Sequence, residues 1–412
     1  RLREFADYAR IRLSGRWSED GTLVGFEIGD RILHMENLAR VRCVSLREQY
    51  DRDDDTLPWR EVERVSRALA MFKEARGYLD YTDMLSEFVR SRIALGLDVL
   101  LVDEAQDLSV LQWHVVAALS SGTRRVVVAG DDDQAIYRWA GADVDHLIDM
   151  AGDVSVLGQS YRCPPVIQTL AGGIIQTVSH RREKQWRARD GAGVVDRAVE
   201  SAAVDFSGSD ILVLARNTYI LREQVEPELR RQGIVFERHG HPSISQQILS
   251  AVGFWESLRQ GKTISAADAR LAVDYMSAGR GVRRGQKKLP GWQDDDEVTL
   301  TALKTQNIVL TDAPWYDALD RLPQDEVSYI RTALQRGEKL RSRPRVRIST
   351  IHGAKGGQAD HVVLHREMAR RTHREMEVLP EDEARVWYVG VTRARERLTI
   401  VDAATPHECP WG

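Results

Sequence analysis

The chain has 412 residues, 42% of them hydrophobic, with a formal net charge of −4. That is apolar mass for roughly two to four separately cored domains. No apolar run approaches the ~18 residues a membrane span needs, and no signal peptide opens the chain. The three widely spaced cysteines read as reduced thiols of a cytoplasmic protein and exclude a disulfide or thiolate-metal scaffold.

In chain order, residues 1 to 77 are rich in arginine and acids, and the spacing of Val62, Val65, Leu69 and Phe72 predicts a helix after Pro58-Trp59. A second helix, opened by Tyr78 to Leu85, leads to the apolar run Val99-Leu100-Leu101-Val102, which ends in Asp103-Glu104-Ala105-Gln106-Asp107. Four apolar residues bounded by charge predict a strand buried on both faces of a parallel sheet. Leu108, Leu111, Val115 and Leu119 recur at helical spacing before a second strand, Arg125 to Gly130. A right-handed strand-helix-strand unit sets both strand ends on one crevice. Further strands are predicted at Val154 to Leu157, Ile211 to Ala215, Val346 to Ser349, His361 to Leu364 and Leu398 to Val401. From about Ser245 to Arg345 the rhythm gives way to helical stretches. Pro380, followed by Glu381, Asp382 and Glu383, starts a last helix on which Arg385, Val389 and Arg393 share one stripe.

The paired acids carry the chemistry. At a strand end the first carboxylate, Asp103, is placed to ligate Mg²⁺ and the second, Glu104, to polarise a water aimed at a γ-phosphate; a solvated strand terminus is the plain alternative. After the second strand comes Asp131-Asp132-Asp133-Gln134-Ala135-Ile136-Tyr137-Arg138-Trp139-Ala140-Gly141. Its neutral Gln134 amide suits γ-phosphate sensing, and Tyr137 and Trp139 offer flat rings to bases. Then follow Gly158-Gln159-Ser160-Tyr161-Arg162, Ser349-Thr350-Ile351-His352-Gly353-Ala354-Lys355-Gly356 and Tyr388-Val389-Gly390-Val391-Thr392-Arg393-Ala394. In this order and spacing the segments resemble motifs II to VI of the UvrD/Rep/PcrA-like superfamily 1 DNA helicases.

The resemblance runs from about Leu79 to Asp402. It implies an α/β fold of two RecA-like parallel-sheet domains with mainly helical accessory insertions, ATP and Mg²⁺ as cofactors, and single-stranded or partly duplex DNA as partner. By position it implies Asp103 as the Mg²⁺ ligand, Glu104 as the base, and Gln134 as the coupler between γ-phosphate and DNA. Arg162 and Arg393 become arginine fingers, and Gly356 and Gln358 nucleotide contacts. Tyr137 and Trp139 stack on bases, while Thr350 and His352 touch the DNA backbone. The implied layout is 1–77, remnant of the first accessory subdomain; 78–153, C-terminal part of the first RecA-like domain; 154–244 with 346–412, the second; and 245–345, the second accessory insertion.

Three departures stand out. Ala140 replaces the family's arginine, and Gln358 replaces a ribose-binding glutamate with a weaker neutral acceptor. No Gly-x-x-x-x-Gly-Lys-Ser/Thr phosphate loop occurs in the sequence. Gly261-Lys262-Thr263 is a decoy, preceded by helix-like Phe254 to Arg259 where the loop needs a buried strand. The simplest expectation is an ATP-dependent DNA helicase or translocase, moving 3′ to 5′, without its N-terminal phosphate-loop portion, served by a complementing N-terminal fragment. Its rival is a catalytically inactive helicase-like DNA-binding scaffold. Arg341, Arg343, Arg345 and Arg347, on one face by period two, are read with equal weight as a phosphate track or a solvated edge.

Overall fold

The computed structural model describes residues 1–15, 27–53 and 56–411. The N-terminal part is helical: α1 (Leu2–Ala9), α2 (Ile28–Val41), α3 (Leu46–Arg52), α4 (Trp59–Arg76) and α5 (Tyr81–Ser91). Val62, Val65 and Phe72 of α4 bury against Phe5, Ile32 and Met35, as the three-and-four spacing requires. Capping boxes start α3 at Ser45/Glu48 and α5 at Asp80/Asp83, each satisfying two otherwise orphaned donors. Asp80 and Asp83 also receive Arg40 and Lys73 at 2.7 to 3.0 Å, tying α5 to α2 and α4.

Next come β1 (Val99–Val102), α6 (Val110–Ser120) and β2 (Arg125–Val128). The two strands pair in parallel, with Val99 opposite Arg125 and Val102 opposite Val128. The expected burial on both faces is not found: Leu101 is 73% exposed, and Val99, Val126 and Val127 are also exposed. Among the described residues β1 has only β2 beside it, and two strands cannot cover each other's faces.

The larger sheet follows α7 (Val144–Ile148) and α8 (Pro165–Ile175). Its strands are β3 (Val194–Ala198), β4 (Ile211–Ala215), β5 (Phe236–Arg238) and β6 (His241–Pro242), then β9 (Val346–Thr350), β10 (Ala359–His365) and β11 (Ala394–Val401). The order is β3-β11-β10-β4-β9-β5-β6, parallel except for β5 with β6. Between β4 and β5 runs a continuous helix: α9 (Thr218–Ile220), a π turn and α10 (Glu226–Arg231). Between β6 and β9 lie α11 (Gln246–Arg259), β7 (Ile264–Ser265), α12 (Ala266–Asp274), β8 (Glu297–Val298), α13 (Leu300–Thr305), α14 (Trp315–Ala318) and α15 (Gln324–Arg336), around Trp255, Met276 and Ile330. Between β10 and β11 lie α16 (Arg370–Val378) and α17 (Pro380–Val391). Period two divides the main sheet's two cores. Leu212 and Leu214 face Ile167, Trp387 and Val389, whereas Ile211 and Val213 face Ile220, Leu221 and Phe236.

Val154 to Leu157, expected as a strand, is not one. It forms no ladder, and Leu157 is 91% exposed. An apolar tetrapeptide becomes a strand only where a neighbour takes its backbone groups. The Gly261 decoy reading fits the geometry: Gly261 sits at φ +76° just past α11, with Gly261 N–H on Leu258 O and Lys262 N–H on Ser257 O, a helix-ending glycine motif.

Two histidines of β10 are buried neutral. His361 Nε2 lies 2.9 Å from Thr399 Oγ1 and His365 Nε2 lies 3.5 Å from Ser201 Oγ, and burial lowers each pKa to about 4. The unfolded chain, with histidine pKa near ~6.5, binds more protons across that window, so stability held above pH ~6.5 is lost as pH falls toward 4. Carboxylates of the unfolded chain protonate lower, so the upper part of the window belongs to histidine. Urea unfolding between pH 6.5 and 5 should lose up to about 1.4 kcal/mol per pH unit for each such histidine. His365→Gln should flatten that slope, and an unchanged slope contradicts the assignment.

Candidate active site at the seam between the two sheets

The site begins where β1 ends. Asp103 and Glu104 are both exposed, but they do not alternate as strand residues. Glu104 takes a left-handed conformation, φ 50° and ψ 38°, which costs a non-glycine residue about 1 kcal/mol or more. Asp103 Oδ1 accepts the Glu104 N–H at 2.9 Å. Glu104 Oε2 accepts from Gln106 Nε2 at 2.6 Å, and the fully buried Gln106 accepts the Asp131 N–H on Oε1 at 2.9 Å. Gly130 permits this approach: a Cβ there would sit 2.8 Å from both Gln106 Oε1 and Leu147 Cδ2.

From Asp131 the chain of hydrogen bonds crosses the seam. Asp131 Oδ2 accepts from Gln134 Nε2 at 2.6 Å, and Gln134 Oε1 accepts from Arg393 Nη2 at 3.0 Å. Arg393 is 1% exposed. Its remaining contacts are Val389 O at 2.9 Å, Gly357 O at 3.3 Å and Thr392 Oγ1 at 3.2 Å. Arg162 lies alongside, donating to Gln358 Oε1 at 2.9 Å and Thr392 O at 3.4 Å. Among the described residues no carboxylate pairs with either guanidinium. Burial, then the charge of Arg162, lowers the Arg393 pKa to about 10, so it stays cationic at neutral pH. Gly356, at φ +81°, turns the loop that presents Gly357 O and Gln358.

The proposed stripe on the last helix needs amendment. α17 ends at Val391, and Arg393 lies in the turn beyond it. Arg385 is fully buried and donates to Asp132 O at 3.1 Å and His180 O at 2.9 Å. It ties the seam together from behind.

Several contacts escaped the sequence reading. The acidic triplet is clasped by the basic segment after α8: Arg181 on Asp133 at 2.6 Å, Lys184 on Asp131 at 2.6 Å, and the Arg182 N–H on Asp132 at 2.8 Å. Lys355 ion-pairs with Asp107, donates to Gln134 O at 2.9 Å and stands 5.0 Å from the Tyr137 ring centre. The matched signals, three acids and a basic run, are both visible in the sequence, but nothing local says that they meet.

The expected DNA-contacting residues gather round His352. Tyr137 Oη donates to His352 O at 3.3 Å, and the Tyr137 and Trp139 rings lie edge-on to the His352 ring at 6.0 and 6.2 Å. Trp139 is 38% exposed, but Thr350 and His352 are buried. Burial, then Arg216, lowers the His352 pKa to about 3. The arginine track is not free: Arg343 pairs with Glu237, Arg345 with Glu338 and Arg347 with Asp210. Only Arg341 of the four has no such partner among the described residues.

Lys355→Met should expose the cost of this seam. Burial already raises the Asp107 pKa, and removing its cation leaves a carboxylate stranded, worth about 3 kcal/mol. Adding Asp107→Asn should recover most of the loss in urea unfolding. A loss below about 1 kcal/mol, typical of a surface pair, contradicts a structural tie.

Two stretches of the chain match known protein families. Residues 33–155 match the UvrD/REP helicase N-terminal domain, and residues 325–405 match the UvrD-like helicase C-terminal domain. The ATP-dependent DNA helicase Rep of Escherichia coli is 34% identical over 134 residues, 29% of this chain and 20% of Rep. The ATP-dependent DNA helicase PcrA of Bacillus subtilis is 36% identical over 95 residues, 22% of this chain and 13% of PcrA. DNA helicase II of Salmonella typhimurium is 37% identical over 91 residues, 21% of this chain and 13% of that protein. The matched stretches thus span a fifth or less of these relatives. Residues 33–155 and 325–405 thus match the UvrD/REP helicase N-terminal and UvrD-like helicase C-terminal domains, and the chain is distantly similar to the Rep, PcrA and UvrD helicases.

Proposed function

We propose that the seam is the γ-phosphate side of an ATP site in a DNA helicase or translocase working 3′ to 5′ on single strands. One observation carries this reading: Arg162 and Arg393 lie side by side, held only by neutral oxygens. Two neighbouring guanidinium groups without a carboxylate are held ready for an anion, and a transferring phosphoryl group is one. Asp103 fits Mg²⁺ as a single exposed carboxylate, since Mg²⁺ in such sites takes one or two carboxylates and completes its shell with phosphate and water. Among the described residues no cluster of three or more His, Cys, Asp or Glu side chains could hold a metal ion. The metal, when bound, screens phosphate charge.

Glu104, oriented by Gln106, takes the proton of the attacking water. Gln134 holds Arg393 with its oxygen and Asp131 with its amide, so a phosphate that draws Arg393 away pulls on the loop bearing Tyr137 and Trp139. That is the route from nucleotide to DNA. Trp139 is the exposed ring available to a base; Thr350 and His352 reach DNA only if the seam opens around them. On this reading 78–153 belongs to one RecA-like domain and 154–244 with 346–412 to the other, with 1–77 and 245–345 as accessory parts. No helix among the described residues is long and apolar enough to cross a membrane.

The absence of a Gly-x-x-x-x-Gly-Lys-Ser/Thr element from these 412 residues favours a second reading, a DNA-binding scaffold without turnover. The two readings separate on ATP hydrolysis in the presence of single-stranded DNA, with a phosphate-loop segment supplied as a fusion or separate chain. The ATPase reading expects hydrolysis, and Glu104→Gln should abolish most turnover while nucleotide still binds. Binding without hydrolysis in the parent favours the scaffold. Independently, Trp139→Ala should weaken oligonucleotide binding by about 1–3 kcal/mol in fluorescence titration; unchanged affinity removes Trp139 from the DNA path.

A further inference from the structure

A groove of about 530 Å³ opens between α11, the start of α14 and the segment after α15, and shares no lining residue with the seam. Its floor is apolar: Leu249, Val252 and Trp315 are almost buried, and Leu334 is 48% exposed. Lys262, Lys339 and Arg341 line it as well, all exposed. None of the three makes a side-chain hydrogen bond or ion pair among the described residues. The one carboxylate present, Glu256, is engaged by Arg259 at 2.8 Å and by the Trp315 N–H at 3.0 Å. Three uncommitted cations thus stand over an apolar floor, in a chain whose net charge is −4.

Gly253 makes the arrangement specific. It lies in the interior of α11, where glycine is unfavourable. The Arg341 guanidinium occupies the space its side chain would take: an ideal Cβ at Gly253 would sit 1.9 Å from Arg341 Nη2. The helix therefore provides a flat seat for an arginine whose donors remain unused. Guanidinium donors laid against a rigid surface lose little freedom on meeting a carboxylate.

We propose that this groove binds an acidic amphipathic segment of a partner protein, with apolar side chains on the Leu249, Val252 and Trp315 floor and carboxylates on Lys262, Lys339 and Arg341. Cations over an apolar floor match a helix carrying Leu at i, i+3 and i+7 with flanking Glu. A nucleic-acid backbone has no use for the floor. The positive groove on a negative chain steers acidic partners and rejects basic ones. The site is independent of the nucleotide reading.

Fluorescence anisotropy with the purified chain tests it, using a fluorescein-labelled helical Leu/Glu peptide and its Leu/Lys counterpart. The Leu/Glu peptide should bind saturably, more weakly as salt rises, and the Leu/Lys peptide should not. Arg341→Glu and Lys339→Glu should each weaken binding about fivefold. Gly253→Ala should also weaken it without lowering Tm, since alanine favours the helix while displacing the guanidinium. Equal binding of both peptides, indifference to Arg341→Glu and Gly253→Ala, or no saturable peptide binding while the same variants lose affinity for duplex DNA would each overturn the proposal.

Discussion

Burying the positive charge of Arg393 is the constraint on which the seam depends. A guanidinium that is 1% exposed cannot keep its charge cheaply without acceptors, and here the acceptors come from three separate stretches of chain. Gln134 arrives from the loop after β2, Gly357 from the loop after β9, and Val389 and Thr392 from the end of α17. The two sheets must therefore meet for this side chain to be tolerated. Because every acceptor is neutral, the charge is solvated by dipoles but not cancelled. A stable fold and a readiness for anions follow from one arrangement.

Around that point the remaining contacts lock the loop after β2. Lys184 and Arg181 ion-pair with the Asp131 to Asp133 triplet, offsetting two of its three charges, Arg385 holds Asp132 O, and Lys355 joins Asp107 to Gln134 O. The strained backbone at Glu104 sits at the near end of this network and the half-exposed Trp139 at its far end. The left-handed Glu104 adjoins a strand pair whose Val99, Leu101, Val126 and Val127 are exposed, so β1 and β2 have little support from neighbours. The main sheet, with β4 wholly buried, is the rigid body against which the loop is held.

Much of this was legible because motif residues occur at short, characteristic spacings. Asp103 with Glu104, Gln134, Arg162 and Arg393 stood out, and the structure brings the last three to one place and links Glu104 to them through Gln106 and Asp131. Lys355, Arg181 and Lys184 did not stand out, because their roles come from pairing across long sequence separations: Lys355 meets a partner 248 positions away. Local pattern carries no such information. Burial of β1 and pairing of Val154 to Leu157 were misread for a related reason. An apolar run states a preference for burial, but neighbouring strands decide whether burial occurs. The arginines ahead of β9 read as a track because period two places them on one face, yet carboxylates from elsewhere claim three of the four.

The direct test of the seam is the coupling between Gln134 and Arg393, measured as a double-mutant cycle in urea unfolding with Gln134→Met, Arg393→Met and the double variant. Residues sharing a buried network are coupled by about 0.5–3 kcal/mol, and this account predicts a favourable value of at least about 1 kcal/mol, from the charge-assisted bond that bridges the two sheets. Additive losses, with no coupling, would contradict it.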